Sequence, residues 1–283
     1  MKIKVSLGNM VLGLSILAFL CFPAVAKAQD APDNFSATPL LGNLPIQKGK
    51  SYFALRSQNH TTYKLPVMLS NDSDLPMIVT TNVNNAITAD NGTISYSNNT
   101  AQPRGKMSLT NKIVGKRKHK LTLAPHSNQI VTYKIKTGNQ GNGITLGGIN
   151  ATSFVDRQGD IQNKVTFVTG VSLNTPANHP NLKQLTFKKI STDYLATDAN
   201  PSVVATLSND KPQLLQHLHG KMVLKRGNKV LATKKMKDVS IAPNSDVKFY
   251  LPPKSMANGK YQVLIQLKDK RHTIDLKRNI VIN

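Results

Sequence analysis

The 283-residue chain has no tryptophan, a single cysteine and no glutamate at any position, so all 14 of its acidic residues are aspartate. Each absence excludes something. Glu is a good helix former while Asp prefers caps and turns, so a helical bundle is not expected. Without Trp there is no platform of stacked indoles for reading sugars. Aromatics make up only 5% of the chain, yet 39% of residues are hydrophobic, enough to bury a sizeable core and too many for a disordered chain. Negative charge is scarce as well: 37 Lys and Arg give a formal net charge of +23.

Long apolar runs are also few. The one that occurs, Met10 to Phe22, follows Lys2 and Lys4 and precedes the small-x-small site Ala26-Lys27-Ala28. This is the pattern of a secretory signal peptide over residues 1–28, and the run is shorter than the roughly 20 residues of a membrane span. The mature chain is expected to begin near Gln29 and to be secreted, extracellular and associated with the cell wall or cell surface, without a transmembrane anchor. Cys21 lies in the leader, and the bulky Leu20 before it argues against lipoprotein processing. The mature chain therefore has neither a disulfide nor a cysteine nucleophile, although an exterior compartment would permit disulfides. Loss of Lys2, Lys4 and Lys27 leaves +20, so the basic character belongs to the mature protein.

After residue 30 the hydrophobic residues alternate instead of recurring at helical spacing. Tyr63, Leu65, Val67 and Leu69 fall on one face of an extended run, and Ile78 to Asn82 begin a second. Ile130 to Ile135, Ile144 to Val155 and Val165 to Val171 continue the pattern, which reads as strands bounded by turns. A polar stretch, Asn91 to Lys120, is expected to be a long loop entered through a tight turn at Asn91-Gly92. The prolines and asparagines of Asn174 to Pro180 interrupt the alternation and predict a linker over 174–182. Beyond it, Leu185 to Lys188, Val203 to Leu207, Lys221 to Lys225, Val230 to Lys234, Val247 to Leu251, Tyr261 to Leu267 and Ile274 to Ile282 are strand candidates, with a hairpin at Arg226-Gly227-Asn228. Seven strands suit one immunoglobulin-like sandwich. The expected fold is all-β, two immunoglobulin-like β-sandwich domains in tandem after the signal peptide, over 29–173 and 183–283. Both halves are basic: residues 29–176 hold 15 basic and 7 acidic residues, and residues 177–283 hold 19 and 7.

Catalytic patterns are sparse. Glycosidases pair two carboxylates, commonly with a Glu of raised pKa. Here only Asp pairs such as Asp156 and Asp160 would serve, in turn-like settings that account for Asp by themselves. No Gly-x-Ser-x-Gly elbow occurs. The glycine-rich Gly138 to Gly148 lacks a following Gly-Lys-Ser/Thr and leads into a strand, which is not how a phosphate cradle is built. His217 and His219 would share one side of a strand, but zinc needs at least a third protein ligand. No catalytic residue, cofactor or metal site is expected.

The densest charge run, Lys116-Arg117-Lys118-His119-Lys120 with Lys112 before it, is either a solvated loop or an interaction segment. Export removes nucleic acid as a partner. Lys112, Lys116, Arg117, Lys118 and Lys120 are therefore candidates for binding extracellular polyanions, by salt-sensitive attraction.

Several spaced motifs add a resemblance. Tyr52-Phe53-Ala54-Leu55, Leu65 to Asp74, Asn85 to Ser97, Leu123-Ala124-Pro125 and Gly143 to Ile149 resemble the opening domain of the WxL-interacting proteins of Gram-positive bacteria. Asn209 to Leu215, Ala242-Pro243-Asn244-Ser245 and Asn258-Gly259-Lys260-Tyr261 are similar to that family's other domain. The resemblance implies a two-domain surface protein with a peptidoglycan-binding and a host-binding domain, acting with WxL-domain proteins and contacting host extracellular matrix. It also implies a C-terminal membrane helix and basic tail. This chain stops at Ile280-Val281-Ile282-Asn283 without a Leu-Pro-x-Thr-Gly sorting signal, so retention by the wall, by charge or by a partner is expected. The leading functional expectation is a non-catalytic surface adaptor that binds peptidoglycan, anionic wall polymers and WxL-domain proteins. The alternatives are a secreted two-sandwich chaperone for surface polymer subunits and an Asp-dependent polysaccharide hydrolase.

Overall fold

A computed structural model describes residues 34–90, 92–104, 107–139, 141–154, 164–175, 180–193 and 201–282. The leader, Asn91, the Asp156–Asp160 pair and residues 176–179 of the expected linker lie outside these.

The alternation in the sequence becomes strands wherever one side of it can be buried. Strands β1 (Phe35–Pro39), β3 (Thr62–Asn71), β9 (Ser127–Lys136) and β7 (Ile113–Val114) form one sheet, in that order. It packs on a five-stranded sheet ordered β2 (Phe53–Arg56), β11 (Lys164–Asn174), β10 (Ile144–Phe154), β4 (Met77–Asn85) and β8 (Lys118–Leu123). Tyr63, Leu65, Val67 and Leu69 point inward from β3, as their spacing predicts, and meet Val79, Val83, Ile149 and Leu173 in one continuous core. The Tyr133 hydroxyl lies 2.7 Å from Thr81 Oγ1, tying the two sheets together inside that core.

The second half repeats the plan. Strands β12 (Leu185–Asp193), β13 (Ser202–Asn209) and β16 (Ser245–Leu251) face a sheet ordered β15 (Lys229–Ile241), β14 (Leu215–Arg226), β17 (Gly259–Lys268) and β18 (Thr273–Ile282). All seven strand candidates of this half are present, and the β14–β15 hairpin closes at Arg226↔Lys229 around Gly227-Asn228. Its core centres on Val203, Leu207, Met222, Leu224, Val263 and Ile265.

One device occurs in both halves. Asn71 ends β3 fully buried and donates through Nδ2 to the carbonyls of Leu75, Leu123 and Ala124. Asn209 ends β13, equally buried, and donates to the carbonyls of Gln213 and Ala242. Each plugs the turn Ala-Pro-x-Ser, whose x residue, His126 or Asn244, has φ near +50°.

The expected long loop over Asn91 to Lys120 is a correction. Within it lie β6 (Ile94–Ser95), which pairs with β5 (Ile87–Thr88) across the Gly92 turn, a 3-10 turn at Thr110–Lys112, β7, and the start of β8. Residues rich in lysine still alternate there: His119, Leu121 and Leu123 turn toward the core, and Lys118, Lys120 and Thr122 toward solvent. Asn174 closes β11, and Leu182, in the 3-10 turn Leu182–Gln184, is fully buried in the second core.

Candidate functional site

The densest basic run lies at the free edge of the five-stranded sheet. Lys118 and Lys120 of β8 stand outward opposite Asn82 and Thr80 of β4, which in turn oppose Asn150 and Thr152 of β10. Lys118, Arg117, Asn82, Thr152 and Lys164 line a surface groove of about 270 Å³. Arg117 is held there by a 2.8 Å bond from Nη2 to the Asn99 carbonyl, and the Lys164 ammonium stands 5.5 Å from the Phe154 ring centroid. Of the five candidate cations, Arg117 and Lys118 thus meet in one groove and Lys120 lies one row away. Lys116 is exposed in the bend before β8. Lys112 ends the 3-10 turn that feeds β7 in the opposite sheet, half-buried, and burial pushes its ammonium below the usual lysine range. The fourth cation of this edge, Lys164, was not legible as part of the run because it arrives from β11.

A larger basic surface escaped sequence reading altogether. On the solvent side of the sheet β15-β14-β17-β18 stand six lysines: Lys221 and Lys225 of β14, Lys235 of β15, Lys260 and Lys268 of β17, and Lys277 of β18. Lys221 opposes Lys235 directly, and Lys277 opposes Leu264. None of the six is in an ion pair among the described residues, and Asp275, which accepts from Gln266 Nε2, is the one acid in their midst. Adjacent strands lie roughly 4.8 Å apart, and Val223, Gln262, Leu264 and Gln266 stand between the lysines, so the ammonium groups are spread over a flat sheet face and are not gathered in a loop. No local run announces it, because each strand contributes only one or two lysines.

The two sandwiches meet through a polar and apolar junction. Arg104 reaches from the first to the second: Nη1 lies 2.5 Å from Asp246 Oδ1, Nη2 2.7 Å from Asp210 Oδ1 and 2.7 Å from Ser208 Oγ. Burial alone would raise the Asp246 carboxyl, but the bonds from Lys188, Ser208 and Arg104 outweigh it and hold it below the ordinary aspartate value. Behind this, Ala86, Ile144, Leu146 and Ala242 form a small core of their own, and the Ile144 amide donates to the Pro212 carbonyl at 2.7 Å. Gly143 permits that approach, since a Cβ there would lie 2.2 Å from the Pro212 oxygen. A junction with this many specific contacts fixes the angle between the two basic surfaces.

Among the described residues no group of three or more His, Cys, Asp or Glu side chains is placed to hold a metal ion. The expected same-side pair His217 and His219 is a further correction. His217 has φ +56°, the β14 register shifts on both sides of Leu218, and His217 Nδ1 lies 2.8 Å from Asp238 instead. No described helix is long and apolar enough to cross a membrane.

Comparison with known proteins gives two adjoining matches. Residues 35–153 match the family model described as WxL Interacting Protein, peptidoglycan binding domain, and residues 156–283 match WxL Interacting Protein, host binding domain. The first match ends before β11, although that strand pairs along its whole length with β10. Among curated proteins no sequence match was found. Solved structures similar in fold include the E. coli chaperone DraB, at 15% identity and TM-score 0.31, covering 86% of this chain and 98% of that one. The YadV chaperone matches at 12% identity and TM-score 0.31, covering 88% and 100%. A chain of the Salmonella enterica SafA pilin–SafB chaperone complex matches at 9% identity and TM-score 0.30, covering 80% and 98%. These similarities are too weak to carry an argument about partners.

Proposed function

Because this chain belongs to the WxL Interacting Protein family and carries both of the family's domains, we propose that it is a non-catalytic adaptor of the cell surface. The first sandwich engages peptidoglycan, and the groove of Arg117, Lys118 and Lys164 adds contact to anionic polymers attached to the wall. The second sandwich engages an anionic partner polymer, of host or bacterial origin, through its six-lysine face.

A WxL-domain protein is held at a strand edge. Strand β11 pairs with β2 only from Val171 onward, so Lys164–Gly170 offers unpaired backbone on that side among the described residues. Phe167 and Val168 in this stretch are 38% and 47% exposed. An open edge with apolar side chains on both faces is what an added partner strand requires.

The observation that supports the reading most directly is the junction. Two surfaces of different chemistry, locked at one angle by Arg104 and the Ile144–Pro212 contact, suit a bridge better than a machine that must open and close. Sedimentation with purified wall sacculi, and with a WxL-domain protein, at physiological and high salt tests it. Retention by both is expected, with the wall-bound fraction falling only in part at high salt. A protein that stays in the supernatant in every case overturns the proposal.

A further inference from the structure

The outer face of the five-stranded sheet carries a second feature that none of the charge arguments uses. Gly148 of β10 and Gly170 of β11 are direct cross-strand partners, so a patch of bare backbone lies in the middle of that face. Two tyrosines fill the place of the missing side chains. A Cβ on Gly148 would come within 2.9 Å of the Tyr96 ring, and one on Gly170 within 3.4 Å of the Tyr52 ring. Both rings therefore lie down on the sheet. Tyr96 is fixed from behind by Asn84 and Asn150, which donate to its carbonyl at 2.7 and 3.0 Å. Burial, and then the neighbouring Tyr52, push the Tyr96 hydroxyl up to about 12. It stays a neutral donor at any physiological pH.

The two rings border a cleft of about 630 Å³. Ser172, Asn174 and Gln47 supply hydroxyl and amide groups to it, and Gln216 of the second sandwich completes one wall. The Lys50 ammonium, 6.0 Å from the Tyr52 ring centroid, is the one charge at the rim. Clefts of this size with converging polar groups are where small ligands are held. Tyrosine gives rigid amphipathic contact at low entropic cost. Two tyrosine ring faces beside neutral amides and hydroxyls match the faces and rims of pyranose rings, and one rim lysine matches a carboxylate of the peptide stem that each disaccharide repeat bears. A polyanion would find a single cation.

We propose that this cleft holds a short stretch of the glycan strand of peptidoglycan, a linear polymer of N-acetylated amino sugars whose repeats bear carboxylate-carrying peptide stems. The inference rests on the peptidoglycan reading above and names its site. Tyr52 and Tyr96 provide the stacking surface, Gln216 and Gln47 the polar rim, and Lys50 the carboxylate contact. The ligand touches both sandwiches, which makes the rigid junction part of the site.

The test is sedimentation of the protein with sacculi stripped of anionic polymers, alongside titration with a soluble β-1,4-linked N-acetylglucosamine tetramer. Tyr52→Ala and Gln216→Ala should each weaken binding, Tyr52→Ala by about tenfold, equivalent to the loss of one good aromatic contact. Lys254→Glu, an exposed position outside the cleft lining, should leave it unchanged. Gln216 and Lys50 are exposed, so Gln216→Ala and Lys50→Ala keep the test open if thermal melting shows Tyr52→Ala to be unfolded. Wild-type binding that survives every cleft variant overturns the cleft and leaves the peptidoglycan reading standing. Wild-type protein that fails to bind stripped sacculi overturns both.

Discussion

The two sandwiches share a plan and differ on one face. Each turns the outer side of its β10-type or β14-type sheet to solvent. In the first that side is Asn82, Thr80, Asn150, Thr152 and the Gly148–Gly170 pair, with cations only at its edges. In the second the same side carries six lysines spread around Val223 and Leu264. The cores beneath are alike in kind, mainly aliphatic with four buried aromatics in the first and two in the second. Burial has specified the fold in both, while the exposed positions of the alternation were left free to take up neutral or charged chemistry. One scaffold can thus present two surfaces without any change in packing.

The comparison breaks most readily at its shared element. Asn71→Ala and Asn209→Ala each strand two or three buried carbonyls, at about 1 kcal/mol or more apiece. Each should lower stability by about 3 kcal/mol in chemical denaturation, and a loss confined to one of them would show that the two sandwiches are not built alike. Next in size is the junction. Gly143→Ala forces a Cβ into the Pro212 carbonyl at a backbone φ of +140°, at about 2 kcal/mol. Calorimetry should then resolve two melting transitions where the parent protein shows one.

The face chemistry comes third. Charge reversal at Lys221, Lys235 and Lys277, all exposed, should leave the melting temperature within a few degrees. It should also move elution from a sulfated-glycan column to markedly lower salt, since such attraction is screened over about 8–10 Å. The same three reversals should not alter binding to stripped sacculi.

The smallest effect is with pH. The folded Asp246 carboxyl lies below its unfolded value of 3.8, so its contribution is present above that pH and is lost as the pH falls through the folded value. It amounts to less than about 1 kcal/mol for a partly exposed, screened group. Asp246→Asn should flatten the acid limb of a stability–pH profile by that amount.

Much of the fold was legible in the chain because burial writes itself as period two: Tyr63 to Leu69 and Tyr261 to Leu267 could hardly be read otherwise. Strand β8 was hidden by its own charge, since Lys118 and Lys120 flank His119, an imidazole that meets the Tyr133 ring edge-on at 5.3 Å between centroids. The surfaces were far less legible. Arg117 and Lys118 stood out because they are neighbours in sequence, whereas Lys164, the six lysines of the second face, and Tyr52 with Tyr96 are assembled only by sheet register. His217 misled in the other direction, because a bulge breaks the alternation that pairing it with His219 assumed.

On this account one rigid chain holds a wall glycan and a polyanion at the same time. Stripped sacculi loaded with the protein, washed, and offered fluorescent heparin at physiological salt put it to the question directly. Capture of heparin on the sacculi, with no release of protein, is the predicted result. Displacement of the protein by heparin, or sacculi that stay dark although the protein remains bound, would contradict it.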